Sequence, residues 1–186
     1  MNFYFKSYLN LSDQEKCEIL NLRNAPYVRE NMYYAEVINL STHLQWIESL
    51  KNDTTCKYWA ISLDDRLIGS IDLSRIDLEN KFAEWGFYID KNCRGIGALL
   101  EFLGMQHFFE KLNFQTILAG VYEGNQKVCH LHKNKFGYKE AHEYDQQCDL
   151  RKFYGLILTK DVWLSRKVSI YNLLTKIYTI DSIVWD

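Results

Sequence analysis

Apolar and polar positions change period several times along this chain, and each change marks a new element. Residues 2–8 bring Phe3 and Phe5 into alternation with Asn2, Tyr4 and Lys6, a period-two pattern that predicts a strand. Ser12 followed three residues later by Glu15 has the form of a capping box. Hydroxyl and carboxylate each take an otherwise orphaned amide there, so a helix is expected to run to about Arg23. Ser41 and Thr42 open a second helix, with Leu44, Ile47 and Leu50 at helical spacing. From Lys57 the period returns to two. Residues 58–63, the polar group Asp64, Asp65 and Arg66, and residues 67–73 read as strand, turn and strand, and 82–89 gives a third, an antiparallel meander.

Beyond Gly97, residues 98–109 are strongly apolar and predict a helix packed on a sheet. A buried strand follows at 116–122, a helix at 126–135, strands around 138–143 and 150–158, and a last helix from near Asp161. A meander ahead of a β-α-β unit defines a mixed α/β (α+β) architecture. Pro26 is the single proline, and no linker, charge block or internal repeat interrupts the chain. Residues 1–186 are therefore read as one domain, with 165–186 as a C-terminal helical extension. In that extension Ile170, Leu173, Leu174 and Ile177 suit an amphipathic helix that caps the core or pairs with a second copy in a homodimer.

Composition narrows the function classes. With 186 residues, 47% hydrophobic and 25% charged, the chain is an ordinary globular domain. A formal charge of −2 supplies no general basic field for nucleic acid or an anionic membrane, so an anionic ligand needs a local site. The 13 tyrosines and 5 tryptophans belong to the core rather than to a base-stacking platform without that basic balance. Five cysteines, Cys17, Cys56, Cys93, Cys129 and Cys148, are odd in number and form no CxxC pair, which reads as reduced, buried thiols. Residues 1–6 lack a signal peptide's basic start and apolar run, and no stretch reaches the roughly 18 apolar residues of a membrane span. A cytoplasmic location is expected. His130 and His132 are two apart and face different sides of a helix, so no metal is expected.

The chemistry concentrates between Tyr88 and Ala98, where a strand passes through a short loop with Arg94, Gly95 and Gly97 into a helix. Glycines let backbone approach an anion, the free amides of the first helical turn point at it, and the helix dipole and Arg94 favour its charge. A phosphate-bearing ligand is implied. The Walker pattern has no match, and the three-glycine dinucleotide fingerprint follows an early parallel strand rather than three antiparallel ones.

Cys93-Arg94-Gly95-Ile96-Gly97-Ala98 resembles the second half of the acetyl-CoA loop R/Q-x-x-G-x-G/A of the GCN5-related N-acetyltransferases (GNAT), with Lys91 or Asn92 where the first Arg/Gln stands. Asn125, the helix after it and Phe136-Gly137-Tyr138 resemble that family's N-x-x-A-x-x-L/F-Y-x-K-x-G-F region, so the likeness spans nearly the whole chain. Leu22-Arg23-Asn24, residues 43–50 beginning with His43, and Leu131-His132-Lys133 through Tyr138 are similar to the PseH/FlmH-type members. Those enzymes acetylate the 4-amino group of a UDP-linked 4-amino-4,6-dideoxy sugar in pseudaminic acid synthesis and flagellin glycosylation. This chain carries one extra residue before Gly137.

The resemblance implies a GNAT fold with a mixed, mostly antiparallel sheet of about seven strands, flanked by helices and followed by a C-terminal helix. It implies acetyl-CoA as co-substrate, no metal, and a nucleotide-sugar acceptor. Contacts to acetyl-CoA are implied at Phe87, Tyr88 and Ile89, where the family splays two strands and offers an oxyanion-binding amide, and at Arg94, Gly95, Ile96, Gly97, Ala98 and Asn125. Acceptor contacts are implied at Arg23, His43, Asp72 and Tyr88. Arg23 brings a forked donor set suited to a diphosphate. Direct amine attack on a thioester needs a base and an acid. Glu84 is the candidate base, with Asp72 the alternative on the neighbouring strand. His132 stands, counted from Asn125, where relatives carry an acidic tyrosine; Tyr138 and Tyr122 are alternatives. Free histidine titrates near ~6.5 and a thiol near ~8.5, so His132 is expected to protonate or hydrogen-bond the departing thiolate. Two rival functions remain, a ribosomal-protein-like N-terminal acetyltransferase and a non-catalytic acyl-CoA-binding module.

Overall fold

The computed structural model describes residues 1–93, 95–148 and 150–186. Strand β1 (Asn2–Ser7) leads to helix α1 (Asp13–Arg23), started by the capping box of Ser12 and Glu15. Glu15 also holds Lys6 of β1 at 2.9 Å, which fixes the helix to the strand before it. A short helix α2 (Pro26–Arg29), with proline in its first turn, precedes α3 (Leu40–Ser49), which Asn39 caps through Thr42. The meander follows as β2 (Lys57–Leu63), β3 (Arg66–Asp77) and β4 (Phe82–Ile89), antiparallel throughout. Its first turn holds Asp64 and Asp65 at φ 47 and 64°, the two positive values that match a two-residue hairpin to strand twist.

Helix α4 (Gly97–Gln106) continues as a π-helical turn, His107–Lys111. Then come β5 (Thr116–Tyr122), α5 (Gln126–His130) with a π-helical continuation Leu131–Phe136, β6 (Lys139–Glu140), β7 (Gln146–Cys148), β8 (Arg151–Thr159), α6 (Lys160–Leu174) and β9 (Ser182–Trp185). Among the described residues the strands form one nine-stranded sheet in the order β6-β8-β5-β4-β3-β2-β1-β9, with β7 beside β8. Pairs β4–β5 and β1–β9 are parallel and the others antiparallel. One sheet face buries Ile71, Leu73, Trp85 and Ile117 with Leu99, Phe102, Leu103 and Trp163 of the following helices. The other face packs Tyr8 and Ala60 against Ile19 of α1 and Ile47 of α3.

Four expectations change. The sheet has nine strands rather than about seven, because β7 and β9 are too short for a periodic signal. Only Lys139–Glu140 of the strand expected at 138–143 pairs with β8. The segment 165–186 is not one helix. After Leu174 the chain turns, and Ser182–Trp185 adds to β1 as an edge strand. Trp185 drives this docking by stacking on Phe5 at 3.8 Å and on His107 at 3.9 Å, contacts between residues far apart in sequence. Ile170 and Leu174 are buried as the spacing implied, whereas Leu173 and Ile177 are exposed. The five cysteines are free, and all are partly exposed rather than buried.

Candidate active site

The parallel strands β4 and β5 pair from Phe82↔Thr116 to Trp85↔Ala119, and their register ends there. Strand β4 continues beside β3 as far as Ile89↔Gly69, and β5 continues beside β8 as far as Tyr122↔Phe153. The sheet therefore forks beyond Trp85. In an antiparallel strand every second residue directs its N–H and C=O away from its partner, so the stretch containing Phe87, Tyr88 and Ile89 offers backbone amides to the gap.

Below the fork, the loop after β4 enters α4. Gly95 has φ 104°, a value that side chains disfavour, and a Cβ there would touch nothing within 4 Å. The backbone, not packing, requires this glycine. Ile96 is the N-cap and supplies no side-chain hydrogen bond to the first turn, which leaves amides of Gly97 and Ala98 for an outside acceptor. Gly95, Gly97 and Ala98 line a cavity of about 770 Å³ together with Lys127, Lys135 and Arg166. Two lysines beside an uncapped helix start fit a diphosphate. Arg166 is partly occupied, donating to the carbonyls of Asn134 and Lys135 at 3.2 and 3.4 Å. Tyr178 donates to the Gly95 carbonyl at 2.8 Å, so the tail beyond α6 holds the loop. Arg94 lies outside the described residues. Asn125 is the N-cap of α5, its Oδ1 accepting from the Val128 amide at 3.4 Å.

On the face toward α1 and α3, register places Ser70 and Asp72 of β3 beside Tyr88 and Gly86 of β4. A Cβ on Gly86 would stand 3.3 Å from Asp72 Oδ1, so the carboxyl group lies over that glycine. Asp72 is half-buried, and no hydrogen bond from the described residues reaches its carboxyl group. Burial, and then the nearby Glu84 carboxylate, push its pKa up to about 8. Glu84 is buried, with Oε1 accepting from the Tyr33 hydroxyl at 2.5 Å and Oε2 facing Arg75 Nη1 at 3.2 Å. Arg75 reaches it from a bulge in β3, between Ser74 and Asp77. Of the two candidate bases, Glu84 is fully engaged and Asp72 is free.

Arg23, Tyr88 and Asp72 belong to one cluster with Tyr8 and Tyr58. Tyr8 donates to Ser70 at 2.8 Å and lies 3.3 Å from the Tyr88 hydroxyl. Burial raises the Tyr88 pKa to about 12, opposed by the Arg23 cation. Arg23 Nη2 donates to the Tyr34 carbonyl at 2.9 Å, while Nη1 is buried without a partner among the described residues. His43 is more remote. It is buried, its Nε2 has no hydrogen-bond partner among the described residues, and it meets the cluster through Trp46, whose ring lies 5.7 Å away and 4.8 Å from Tyr58. Burial lowers the His43 pKa.

His132 lies on the opposite face. Its ring is 5.8 Å from that of Trp85, the last residue before the fork, and stacks on Tyr138 at 4.7 Å. The π-helical turn Leu131–Phe136 accommodates the extra residue before Gly137, since such a turn holds one residue more than an α-turn. His132 Nδ1 is 2.8 Å from Glu101 Oε1 of α4, both side chains being buried. Sequence reading missed Glu101, Tyr33, Lys127, Lys135 and Tyr178. Only a carboxylate inside the otherwise apolar run of α4 stood out as a signal. Among the described residues no group of three or more His, Cys, Asp or Glu could hold a metal ion.

A mixed sheet forked between two parallel strands, above an uncapped helix start, is the architecture of a CoA-dependent acyltransferase. Residues 9–139 match the acetyltransferase (GNAT) domain model, and the chain belongs to this family as an acetyl-CoA-dependent acetyltransferase. It is similar to acetyltransferase PseH of Campylobacter jejuni subsp. jejuni serotype O:23/36 (strain 81-176), with 30% identity over 155 residues, 82% of this chain and 91% of that protein. The crystal structure of Campylobacter jejuni N-acetyltransferase PseH in complex with acetyl coenzyme A superposes with a TM-score of 0.65 at 26% identity, covering 84% of this chain and 98% of that one. Spermidine N-acetyltransferase from Vibrio cholerae in complex with CoA and spermine gives a TM-score of 0.75 at 17% identity, covering 88% and 98%, a likeness of fold alone. No helix of the described residues is long and apolar enough to cross a membrane.

Proposed function

We propose that the enzyme moves acetyl from acetyl-CoA to the amino group of a nucleotide-linked aminosugar, of the UDP-4-amino-4,6-dideoxy-N-acetyl-altrosamine type, in pseudaminic acid synthesis. The observation that carries this acceptor is Arg23. A buried guanidinium nitrogen without an acceptor is costly, and it stands among Tyr8, Tyr58 and Tyr88 in the cluster that contains Asp72. A nucleotide diphosphate supplies the missing anion there. The similarity to PseH supports the same class.

In this reading the amides of Gly97 and Ala98, with Lys127 and Lys135, hold the CoA diphosphate, while Asn125 shapes the start of α5. Pantetheine lies in the fork, and a backbone amide in the stretch from Phe87 to Ile89 receives the oxyanion. Asp72 takes the proton of the attacking amine, directly or through water, once ionised. Glu84 keeps Tyr33 and Arg75 around the acceptor instead of acting as base. The C–N bond forms, the C–S bond breaks, and His132 on the far side of the fork gives a proton to the departing thiolate. With acetyl-CoA and a nucleotide-linked sugar as its substrates, we place the reaction in the cytoplasm. The exposed face of α6 with Leu164, Val168 and Tyr171 is where a homodimer would form.

A cationic acceptor is the second reading, because Glu18 and Asp90 line a cavity of about 370 Å³ beside Tyr27. Asp90 is neutralised there by Arg66, which weakens it. CoA thiol release measured with the UDP-aminosugar, spermidine and peptides with free amino termini separates the readings. Saturable turnover is expected with the UDP-aminosugar, and preference for spermidine or a peptide would replace this acceptor. Acetyl-CoA binding without turnover of any amine would favour a non-catalytic module.

A further inference from the structure

We infer that Glu101 is a positioning residue that loads His132 with the proton destined for CoA, an inference that rests on the acid role proposed for His132. The two side chains meet across the α4–α5 contact at 2.8 Å, Glu101 being 0% and His132 3% exposed. Glu101 Oε2 has no partner among the described residues. A full carboxylate beside a neutral imidazole would leave a net charge buried with one oxygen unsatisfied, an expensive state. The alternative is a neutral pair, with one more proton. That proton resides on Glu101, with the O–H donating to Nδ1, or on Nδ1 as an imidazolium facing the carboxylate. In both forms Nε2 carries a hydrogen, and no described hydrogen bond engages Nε2.

The pair thus presents a fixed N–H donor whichever partner holds the shared proton, the logic by which a buried carboxylate orients a catalytic histidine. The surroundings favour it. Burial raises the Glu101 pKa, with His132 and then Lys135 opposing. The charged and titratable groups turned toward the pair are Lys135 from the π-helical turn and the Tyr138 phenol, whose oxygen donates to Met105 Sδ at 3.4 Å. When the C–S bond breaks, Nε2–H passes to the thiolate and the pair becomes anionic. Solvent returns the proton after CoA leaves, while the amine proton departs separately through Asp72. No other reactant is required.

Steady-state CoA release from acetyl-CoA and UDP-4-amino-4,6-dideoxy-N-acetyl-altrosamine, followed across pH for wild type, E101Q, H132F and E101Q/H132F, tests the assignment. E101Q is expected to lower kcat about tenfold to a hundredfold with the acetyl-CoA KM within about twofold. Its alkaline limb should move to lower pH, because the shared proton has lost the carboxylate that holds it within the pair. The double variant should be no slower than H132F, since the two residues act as a unit. Nitrogen-15 spectra of the wild-type histidines add a test that needs no variant, with Nε2 of His132 expected to be protonated at neutral pH. Glu101 loses this role if E101Q keeps kcat and its alkaline limb, if the two losses multiply, or if Nε2 is unprotonated. H132F with unchanged kcat would instead remove the acid role itself, and Glu101's role with it.

Discussion

The Tyr33 hydroxyl donates to Glu84 Oε1 at 2.5 Å directly over Gly120, where a Cβ would stand 1.6 Å from that hydroxyl oxygen. The loop between α2 and α3 is thereby fastened to the middle of the sheet, beside the fork. Burial and then the Glu84 charge raise the Tyr33 pKa, so the phenol stays protonated and keeps donating. Arg151 strengthens the loop by donating to the Met32 and Tyr33 carbonyls at 2.7 and 2.8 Å.

Gly120→Ala should therefore displace Tyr33 without dismantling the sheet. Overpacking of this kind costs about 1–3 kcal/mol. We expect kcat/KM for the aminosugar to fall about tenfold while the acetyl-CoA KM changes little. Initial rates with each substrate varied in turn check this, and a selective rise in the acetyl-CoA KM would contradict it.

Asp72 gives opposite pH signs to activity and stability. Its folded pKa of about 8 lies above the ordinary carboxylate value of about 4, so the folded state holds the proton more tightly. The stability this group contributes is complete below about pH 4 and is lost as pH rises through about 8. Activity needs the ionised base and should rise over the upper part of that window. Asp72→Asn should lower kcat/KM about a hundredfold or more, yet melt at higher temperature than wild type at pH 9. A variant with wild-type rates, or one less stable than wild type at high pH, would contradict the assignment.

Gly95→Ala probes the anion cradle through the backbone alone, since φ is 104° and a new Cβ would meet nothing. An alanine held at positive φ costs about 1–2 kcal/mol, which the loop can relieve by moving. Calorimetric titration with acetyl-CoA should show affinity weakened about tenfold, with the melting temperature of the free protein nearly unchanged. Equal affinity would move the diphosphate elsewhere.

Trp185 stacks on both Phe5 and His107, and the Trp59 indole donates to the neighbouring Asp186 carbonyl at 3.0 Å. Trp185→Ala should remove about 3 kcal/mol from unfolding in urea, in the range for aromatic truncation. Residual kcat below the new midpoint should stay near wild type, because β9 adds to the sheet edge far from the fork in strand order.

Local signals made much of this legible in the sequence. The capping box at Ser12, the two-residue turn at Asp64 and Asp65, and the loop with Gly95 and Gly97 are each written in neighbouring residues. What the sequence left hidden depends on contacts between distant segments. No periodicity marks Ser182–Trp185 as a strand, since its partner β1 lies at the other end of the chain. Glu101 is a single polar residue in an apolar helix, and its partner His132 stands 31 positions further along the chain. The engagement of Glu84 likewise depends on Tyr33 and Arg75, which reach it from a loop and a bulge.

Transfer of acetyl to the amino group of a nucleotide-bound sugar underlies the roles proposed for Arg23, Asp72 and His132. Carbon-13 NMR of a mixture of enzyme, acetyl-labelled acetyl-CoA and UDP-4-amino-4,6-dideoxy-N-acetyl-altrosamine tests it most directly. One new amide-linked acetyl group is expected, on the sugar's 4-amino nitrogen, formed in step with free CoA. An acetyl signal that stays on CoA while the protein binds it, or that reaches spermidine or a peptide terminus in preference when those are added, would contradict it.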